Sequence, residues 1–338
     1  MPLYHSSDII FVGGKMYDKN VSEFANNVCI DENNYATQMA EKVLPFISQY
    51  EKSGYFTGVD NTNLFYRKFE LENSKATIVI VHGFTENSQR YDELIYYFLK
   101  RNYSVYIYDQ RCHGLSDRLS ETYNMVYIKK FDDYVEDLNK FLNEYVKSSR
   151  IILYGHSMGS TVIIRFLQTQ NFNVDFCILS APMLEISTKP YPSKIINLYS
   201  NDEVKKKYCP GHNDFDLENR LNNSDYKNFH RYIYSVKKEA ANPKLITSGA
   251  SFGWFKESVR AIKNIFMPEN LAKIKTPLAL FQYQNDKTVL PNNQNKFASL
   301  VSSCEIYRIN ESLHNIYYMN NKILGTYLQK IFELIELV

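Results

Sequence analysis

The chain has 338 residues, enough for one large α/β domain or two ordinary domains with a sizeable buried core. Its 39 basic and 37 acidic side chains leave a formal charge of +2, without the strong basic excess that is typical of nucleic-acid-binding proteins. A hydrophobic fraction of 44% excludes wholesale disorder. The unusual feature is a stock of 28 tyrosines and 21 phenylalanines beside one tryptophan, which composition alone does not assign to core, cleft or surface.

The five cysteines are scattered, odd in number and without a C-x-x-C pair. This pattern predicts free thiols in a reducing compartment rather than a disulfide framework or a structural zinc site. The N-terminus shows no signal-peptide pattern, and the longest apolar stretches are of strand length rather than the ~20 residues that cross a bilayer. We therefore expect a cytoplasmic protein with no metal ion and no cofactor, and peripheral contact with the inner face of the membrane stays open.

Strand and helix patterns alternate along most of the chain. Residues 1–50 form a lead-in with no assigned role and one predicted helix, Tyr35 to Gln49. A hairpin follows, and buried strands then alternate with amphipathic helices. The predicted strands are Gly54 to Val59, Leu64 to Leu71, Ala76 to Val81, Ser104 to Asp109, Arg150 to Tyr154, Phe176 to Ser180, Thr276 to Gln284 and Cys304 to Ile309. The predicted helices are Ser88 to Leu99, Phe131 to Val146, Met158 to Gln168, Asn292 to Val301 and Lys322 to Glu336.

The alternation stops between Thr188 and Pro268, where helical patterns occur without a convincing buried strand. The chain therefore predicts an α/β fold with a mostly parallel central sheet, helices on both faces and an inserted, mainly helical segment. The expected division is a lead-in at 1–50, a core in two parts at 51–187 and 269–338, and an insertion at 188–268. In such sheets the chemistry lies at the carboxyl ends of the strands.

The sequence G-H-S-M-G at 155–159 matches G-x-S-x-G and lies between a predicted strand and a predicted helix. A strand–turn–helix context places the hydroxyl of Ser157 on a sharp exposed turn. The glycines fit because the backbone is crowded there. A tight turn with an incidental serine is the competing interpretation.

A serine nucleophile needs a base, and the base needs an acid to orient it. Asp286 and His314 each follow a predicted strand, and the order Ser157, Asp286, His314 is that of an α/β-hydrolase. We predict that these three residues form a catalytic triad. Glu185 and Glu311 remain alternatives for the acid.

The negative charge that develops during acyl transfer needs two rigid donors, and backbone N–H groups supply them without reorganisation. Met158 directly follows the predicted nucleophile at a helix N-terminus. Phe84 lies in the H-G-F-T loop at 82–85, after a buried strand. These two N–H groups are the predicted oxyanion hole, and an ordinary strand-end turn is the alternative for the loop.

Three segments together resemble the α/β-hydrolases that include monoacylglycerol lipases, lysophospholipases and serine aminopeptidase-like proteins. They are H-G-F-T-E-N-S-Q-R-Y at 82–91, D-Q-R-C-H-G-L-S at 109–116 and G-H-S-M-G at 155–159. N-P at 242–243, Gly249 and W-F-K-E-S at 254–258 look most like bacterial lysophospholipases of the L2 type. Cys112 and Ser160 depart from the family pattern, since each stands where a glycine is usual.

The resemblance implies a cap at 188–268 over the active site, with Trp254 near the acyl pocket and His156 among the substrate-binding residues. Three cap tyrosines, Tyr226, Tyr232 and Tyr234, are further candidates for lining that pocket. The implied activity is a serine hydrolase that cleaves carboxylic esters of lipids, such as lysophospholipids or monoacylglycerols. A small-ester esterase, an aminopeptidase and a binding protein derived from a hydrolase are the alternatives.

The near-neutral total conceals a division of charge, because the insertion carries fourteen lysines and arginines against eight acidic residues. A basic cap with many rings would suit an anionic membrane surface or a phosphorylated head group. A solvated face without a partner is the competing interpretation. We expect a lipid ester as substrate, no nucleic acid and no obligate protein partner.

Overall fold

The computed structural model describes residues 9–10, 24–25, 28–186 and 202–338. In these residues a nine-stranded sheet has the order β1-β11-β10-β8-β7-β4-β5-β3-β2, and β6 pairs with β9 in a second, two-stranded sheet. The strands are β1 (Ile9–Ile10), β2 (Glu51–Thr57), β3 (Asn63–Phe69), β4 (Thr77–Val81), β5 (Ser104–Tyr108), β6 (Met125–Val126), β7 (Ile151–His156), β8 (Phe176–Ser180), β9 (Gly249–Ala250), β10 (Leu278–Tyr283) and β11 (Cys304–Ile309).

The large sheet is parallel except at β3, which runs antiparallel to both β2 and β5. Every residue of β4, β5, β7 and β8 is buried, because helices cover both faces of the sheet. The edge strand β2 has mostly exposed or half-buried residues. The predicted α/β fold and the hairpin of β2 and β3 are therefore confirmed, with strand ends that differ by a few residues from the sequence pattern.

The α-helices are α1 (Tyr35–Gln38), α2 (Leu44–Ser48), α3 (Asp92–Lys100), α4 (Asp132–Tyr145), α5 (Met158–Thr169), α6 (Asp202–Lys205), α7 (Leu217–Asn223), α8 (His230–Ala241), α9 (Phe252–Ile265), α10 (Pro268–Leu271), α11 (Pro291–Leu300) and α12 (Asn321–Ile335). Helices α4 and α12 bury one face each, as their amphipathic patterns predict, whereas α3 and α5 are buried on nearly every side. Short 3₁₀-helices cover Val59–Asn61, Ser88–Tyr91, Pro243–Leu245 and Ile316–Tyr318.

The single helix predicted from Tyr35 to Gln49 is interrupted by one π-helical stretch, Met39–Val43, between α1 and α2. Pro45 follows this stretch, in the first turn of α2. Proline has no N–H for the i→i−4 bond, so a wider turn before it relieves the missing bond and the ring clash.

The insertion between β8 and β10 is described from residue 202 onward and contains helices α6 to α9. It also contains the buried strand β9, which pairs in parallel with β6. The expectation of no buried strand in this segment was therefore wrong. A strand of two residues is too short to show an alternation of buried and exposed side chains. Its pairing partner, Met125–Val126, lies more than a hundred residues earlier in the chain.

Helix α8 of the insertion is fixed to the core and to the lead-in by one buried ion pair and two partly buried ones. The guanidinium of Arg231 lies 2.8 Å from Glu93 in α3 and 3.2 Å from Glu32 in the lead-in. Lys238 contacts Asp92 at 2.8 Å, at the start of α3. One role of the lead-in is therefore to pack against α8.

None of the helices within 9–10, 24–25, 28–186 and 202–338 is long and apolar enough to cross a bilayer.

Candidate active site

Ser157 lies on the sharp turn between β7 and α5 with φ 50° and ψ −115°. A positive φ is uncommon for serine and persists only where surrounding contacts enforce it. Here the N–H of Ser157 donates to the carbonyl of Ser180 at 2.9 Å, and its carbonyl accepts from the N–H of Met183 at 3.1 Å. The strained turn is therefore held by the loop that follows β8.

The glycine at 159 is required by the close approach of β4. A Cβ at this position would lie 1.9 Å from the carbonyl oxygen of Val81. Ser160, one of the two departures from the family pattern, fits because its hydroxyl donates to the carbonyl of Gly155 at 2.7 Å. The substitution therefore adds a bond inside the turn.

The structure brings Ser157, His314 and Asp286 together at the carboxyl ends of β7, β11 and β10. Nε2 of His314 is 3.0 Å from Oγ of Ser157, and Nδ1 is 2.6 Å from Oδ2 of Asp286. The other oxygen of Asp286 accepts from the backbone N–H groups of Thr288 and Val289. These bonds fix the carboxylate so that it faces the imidazole.

Neither alternative acid contacts the ring of His314 among the residues that the structure describes. Glu311 is exposed, and its backbone N–H donates to the side chain of Gln284. Glu185 lies half-buried in the segment after β8. The geometry therefore pairs the histidine with Asp286.

The N–H groups of Phe84 and Met158 are both free of hydrogen bonds to other described residues. Met158 is the first residue of α5, so its N–H is one of the donors that a helix leaves unused at its N-terminus. Met158 directly follows Ser157, and the loop that contains Phe84 contacts His156 through Glu86. The two N–H groups stay the predicted oxyanion hole.

Trp254 lies against the same loop, with its ring 4.1 Å from that of Phe84 between centroids. Tyr226 and Tyr232 pack on Tyr318, close in sequence to His314. Tyr234 packs on Tyr35 of the lead-in helix. The structure therefore brings Trp254 against the loop of the predicted oxyanion hole and Tyr234 against the lead-in.

His156 is next to the triad, but its side chain is buried rather than open to the cleft. Its Nδ1 lies 2.9 Å from Oε1 of Glu86, and its Nε2 lies 3.0 Å from the carbonyl oxygen of His314. Burial lowers the pKa of His156, but the charge of Glu86 and the bonds to both acceptors outweigh this and raise it above the ordinary value. The structure therefore places both ring nitrogens of His156 against protein groups, and contact with a substrate stays a prediction.

Glu86 is the residue of this site that sequence reasoning missed. It accepts hydrogen bonds from the N–H of Gly83 at 2.6 Å and from the hydroxyls of Tyr91 and Tyr317. Burial raises its pKa, but His156, the hydrogen bonds and Arg90 together hold the pKa well below its ordinary range. The signal was a carboxylate inside an otherwise uncharged loop motif at 82–87.

Two other buried histidines support the loop in neutral form. Nε2 of His82 accepts from the N–H of Gln110 at 2.9 Å, so its Nδ1 donates to Gly83. Burial lowers the pKa of His82 and lowers that of His113 further. His156 is thus the ring in this region that the surroundings favour as a cation.

His212 accepts from the N–H of Ala250, and His230 lies beside the backbone of Glu32, so both have packing roles. His5 lies outside the described residues.

Comparison with known proteins identifies the family. A family model described as "Serine aminopeptidase, S33" matches residues 72–320. The chain belongs to this family of α/β-hydrolases. The family, the fold and the elbow motif together make it a serine hydrolase of the esterase and lipase group.

Named relatives of this S33 hydrolase include two bacterial proteins. It is 24% identical over 298 residues to "Probable lysophospholipase L2" of Haemophilus influenzae, covering 86% of this chain and 93% of that one. It is 27% identical over 254 residues to "Lysophospholipase L2" of Escherichia coli K12, covering 72% and 74% of the two chains. A solved structure of monoglyceride lipase from Saccharomyces cerevisiae matches with a TM-score of 0.65 at 15% identity, over 83% of this chain and 94% of that one.

Proposed function

We propose that this S33 hydrolase cleaves carboxylic esters of lipids, lysophospholipids or monoacylglycerols, through an acyl-enzyme on Ser157. The observation that carries the proposal is the continuous contact from Asp286 through His314 to Ser157. The backbone N–H groups of Phe84 and Met158, which bind no other described residue, are the proposed oxyanion donors. This is the arrangement that acyl transfer requires.

In the first half-reaction, Oγ of Ser157 attacks the ester carbonyl while Nε2 of His314 takes the hydroxyl proton. The carboxylate of Asp286 keeps the imidazole oriented and stabilises its positive charge. The N–H groups of Phe84 and Met158 donate to the oxyanion. When the tetrahedral intermediate collapses, the C–O bond of the ester breaks and His314 returns the proton to the leaving alcohol.

In the second half-reaction, a water molecule attacks the acyl carbon and His314 accepts its proton. The bond from the acyl carbon to Oγ breaks, and Ser157 recovers its proton from His314. The products are a fatty acid and the alcohol part of the lipid, and no cofactor takes part.

Support for a lipid substrate comes from the cap and from the relatives. We propose that the described part of the insertion, residues 202–268, caps the active site, because the ring of Trp254 from α9 packs on that of Phe84 in the proposed oxyanion loop. An aromatic pair at this place suits an acyl chain. The curated relatives are named as lysophospholipases, which fits the same substrate class.

Support for contact with an anionic lipid surface comes from a groove of about 510 Å³ between the cap and residues 119–129. Leu119, Tyr127, Ile128 and Gly253 form its apolar part, and Lys129, Lys205, Lys206, Lys256 and Glu257 form its charged part. Glu257 is 3.8 Å from Arg260, which offsets its charge. We propose that phosphate groups of anionic lipids bind at these lysines.

A fluorophosphonate probe tests the nucleophile directly. The wild-type protein should be labelled, and Ser157→Ala should lose both labelling and ester hydrolysis by at least about a thousandfold. Ser160→Ala is the matched control, because this neighbouring serine donates its hydroxyl to the turn and not to the triad. Hydrolysis that persists in Ser157→Ala would exclude the assigned nucleophile.

A panel of substrates, each at the same concentration, tests which class of substrate the protein hydrolyses. The panel contains lysophosphatidylcholine, lysophosphatidylethanolamine, a monoacylglycerol, a short p-nitrophenyl ester and an aminoacyl amide. We expect the highest kcat/KM for a long-chain lipid ester. Preference for the short ester or the amide would contradict the lipid proposal, and tight binding without turnover would indicate a binding protein.

A further inference from the structure

Both ring nitrogens of His156 face groups that can only accept. Nδ1 lies 2.9 Å from a carboxylate oxygen of Glu86, and Nε2 lies 3.0 Å from the carbonyl oxygen of His314. A neutral imidazole has one acceptor nitrogen, which would face an acceptor at one of these places. Nε2 has hydrogen-bond geometry to its carbonyl, whereas Nδ1 meets Glu86 only at ion-pair distance, without a well-aligned hydrogen bond. An unprotonated Nδ1 would place its lone pair against the carboxylate, so the contacts favour an imidazolium beside Glu86.

This pair is buried on both sides, with side-chain exposure of 1% for His156 and 2% for Glu86. The attraction between opposite charges is stronger where burial keeps water away from them. Losing one partner would leave the other charge buried without compensation.

The pair contacts each of the three segments that carry the proposed chemistry. Glu86 accepts from the N–H of Gly83, which precedes Phe84 in the oxyanion loop. His156 directly precedes Ser157 on the elbow. The carbonyl that His156 binds belongs to His314 itself.

We propose that the buried Glu86–His156 pair is a positioning device that holds the oxyanion loop, the nucleophile and the catalytic histidine in register. Neither side chain contacts the reacting atoms, so both act through Phe84, Ser157 and His314. Small displacements of such groups are costly, since a misplacement of about 1 Å can reduce a rate by about a hundredfold. The inference rests on the triad of the proposed function.

Other charged and titratable groups surround the pair. Arg90, Tyr91 and Tyr317 face Glu86, whereas Asp286 and His314 face His156. Because the folded-state pKa of His156 is raised above 6.5, its protonated form persists above that pH and is lost as the pH rises through the raised pKa. The pKa of Glu86 is lowered, so its charge is lost only as the pH falls far below 4.5.

Glu86→Gln tests the positioning role of the pair. The substitution removes the negative charge of the carboxylate while keeping an oxygen that can accept from the N–H of Gly83. We expect kcat and the rate of fluorophosphonate labelling to fall by about 10- to 100-fold, with little change in KM. Asp137→Asn is the matched control, because it neutralises a buried pair with Arg111 at 2.7 Å that does not contact the triad. The control should lose stability and keep the wild-type labelling rate.

The labelling rates separate the possible failures. Labelling of Glu86→Gln at the wild-type rate, with a loss of stability like that of Asp137→Asn, would overturn the positioning role. Absence of labelling in the wild-type protein would instead overturn the proposed function on which it rests.

Histidine NMR of the wild-type protein keeps the inference testable even where Glu86→Gln does not fold. With ¹⁵N-labelled histidine we expect one buried ring to remain doubly protonated above pH 6.5. If every buried histidine ring is neutral at pH 6.5, the assignment of His156 and Glu86 as a charged pair is wrong.

Discussion

At the scale of single residues, the site depends on positions where the backbone leaves no choice of side chain. Ser157 carries a positive φ at the turn, and Gly159 lies where a Cβ would meet the carbonyl of β4. The G-x-S-x-G pattern was readable from sequence because its steric requirements are local. The role of Glu86 was not readable, since the groups that it binds lie up to 231 residues away.

Gly159→Ala tests the steric requirement at the elbow. The added methyl group would lie 1.9 Å from the oxygen of Val81, so α5 or β4 must shift. We expect a loss of about 1–3 kcal/mol in the free energy of unfolding, together with a large loss of fluorophosphonate labelling at Ser157. Thermal unfolding and labelling kinetics measure the two effects.

Gly211→Ala is the control for this substitution. Its φ is +82°, and no atom lies within 4 Å of the added Cβ, so it tests backbone strain without a clash. We expect a loss of about 1–2 kcal/mol and unchanged labelling. Equal labelling in both variants would contradict the role of Gly159.

At the scale of elements, helix α8 of the insertion is attached to the core through charge as well as through apolar packing. Arg231 contacts Glu93 and Glu32, and its guanidinium also donates to the carbonyl of Met319 at 3.0 Å. The sequence predicts helical patterns in the insertion, and α8 is one of the helices that the structure shows there. Which core carboxylates face it depends on the packing of α3 and the lead-in, and sequence spacing does not contain that information.

Arg231→Met tests this attachment. The substitution leaves the carboxylate of Glu93 buried without its cationic partner, so we expect a loss of about 3–5 kcal/mol in the free energy of unfolding. Urea denaturation measures this loss in the free energy of unfolding. Arg260→Met, in the same insertion, removes an arginine that is 69% exposed and lies 3.8 Å from Glu257. The control should change stability by less than about 1 kcal/mol, and a similar value for both variants would contradict the buried attachment.

At the scale of the whole molecule, the insertion has an excess of basic residues and the rest of the chain has an excess of acidic residues. The groove that contains Lys206 and Lys256 concentrates part of this excess at one place. Neither lysine forms an ion pair within the part of the chain that the structure describes. Such a surface attracts anionic lipids, and salt weakens the attraction.

Lys206→Glu/Lys256→Glu on a Ser157→Ala background tests this surface without turnover. We expect sedimentation with vesicles that contain phosphatidylglycerol to fall by at least about tenfold, since each lysine contributes about 1 kcal/mol near an anionic surface. Lys273→Glu/Lys275→Glu changes the net charge equally at exposed sites outside the groove and should bind nearly as well as the parent. Equal losses in both pairs would show that net charge, and not the groove, governs binding.

The sequence by itself determined the alternation of strands and helices, the elbow at Ser157, and the order of Ser157, Asp286 and His314. These depend on local periodicity, turn sterics and the rule that parallel strands end at one edge. The tertiary structure alone decided the pairing of β6 with β9, the contact of His314 with Asp286 rather than with Glu185 or Glu311, and the burial of His156 against Glu86. Such contacts join segments that are distant in the chain, so their partners are set by packing in three dimensions rather than by the pattern of neighbouring residues.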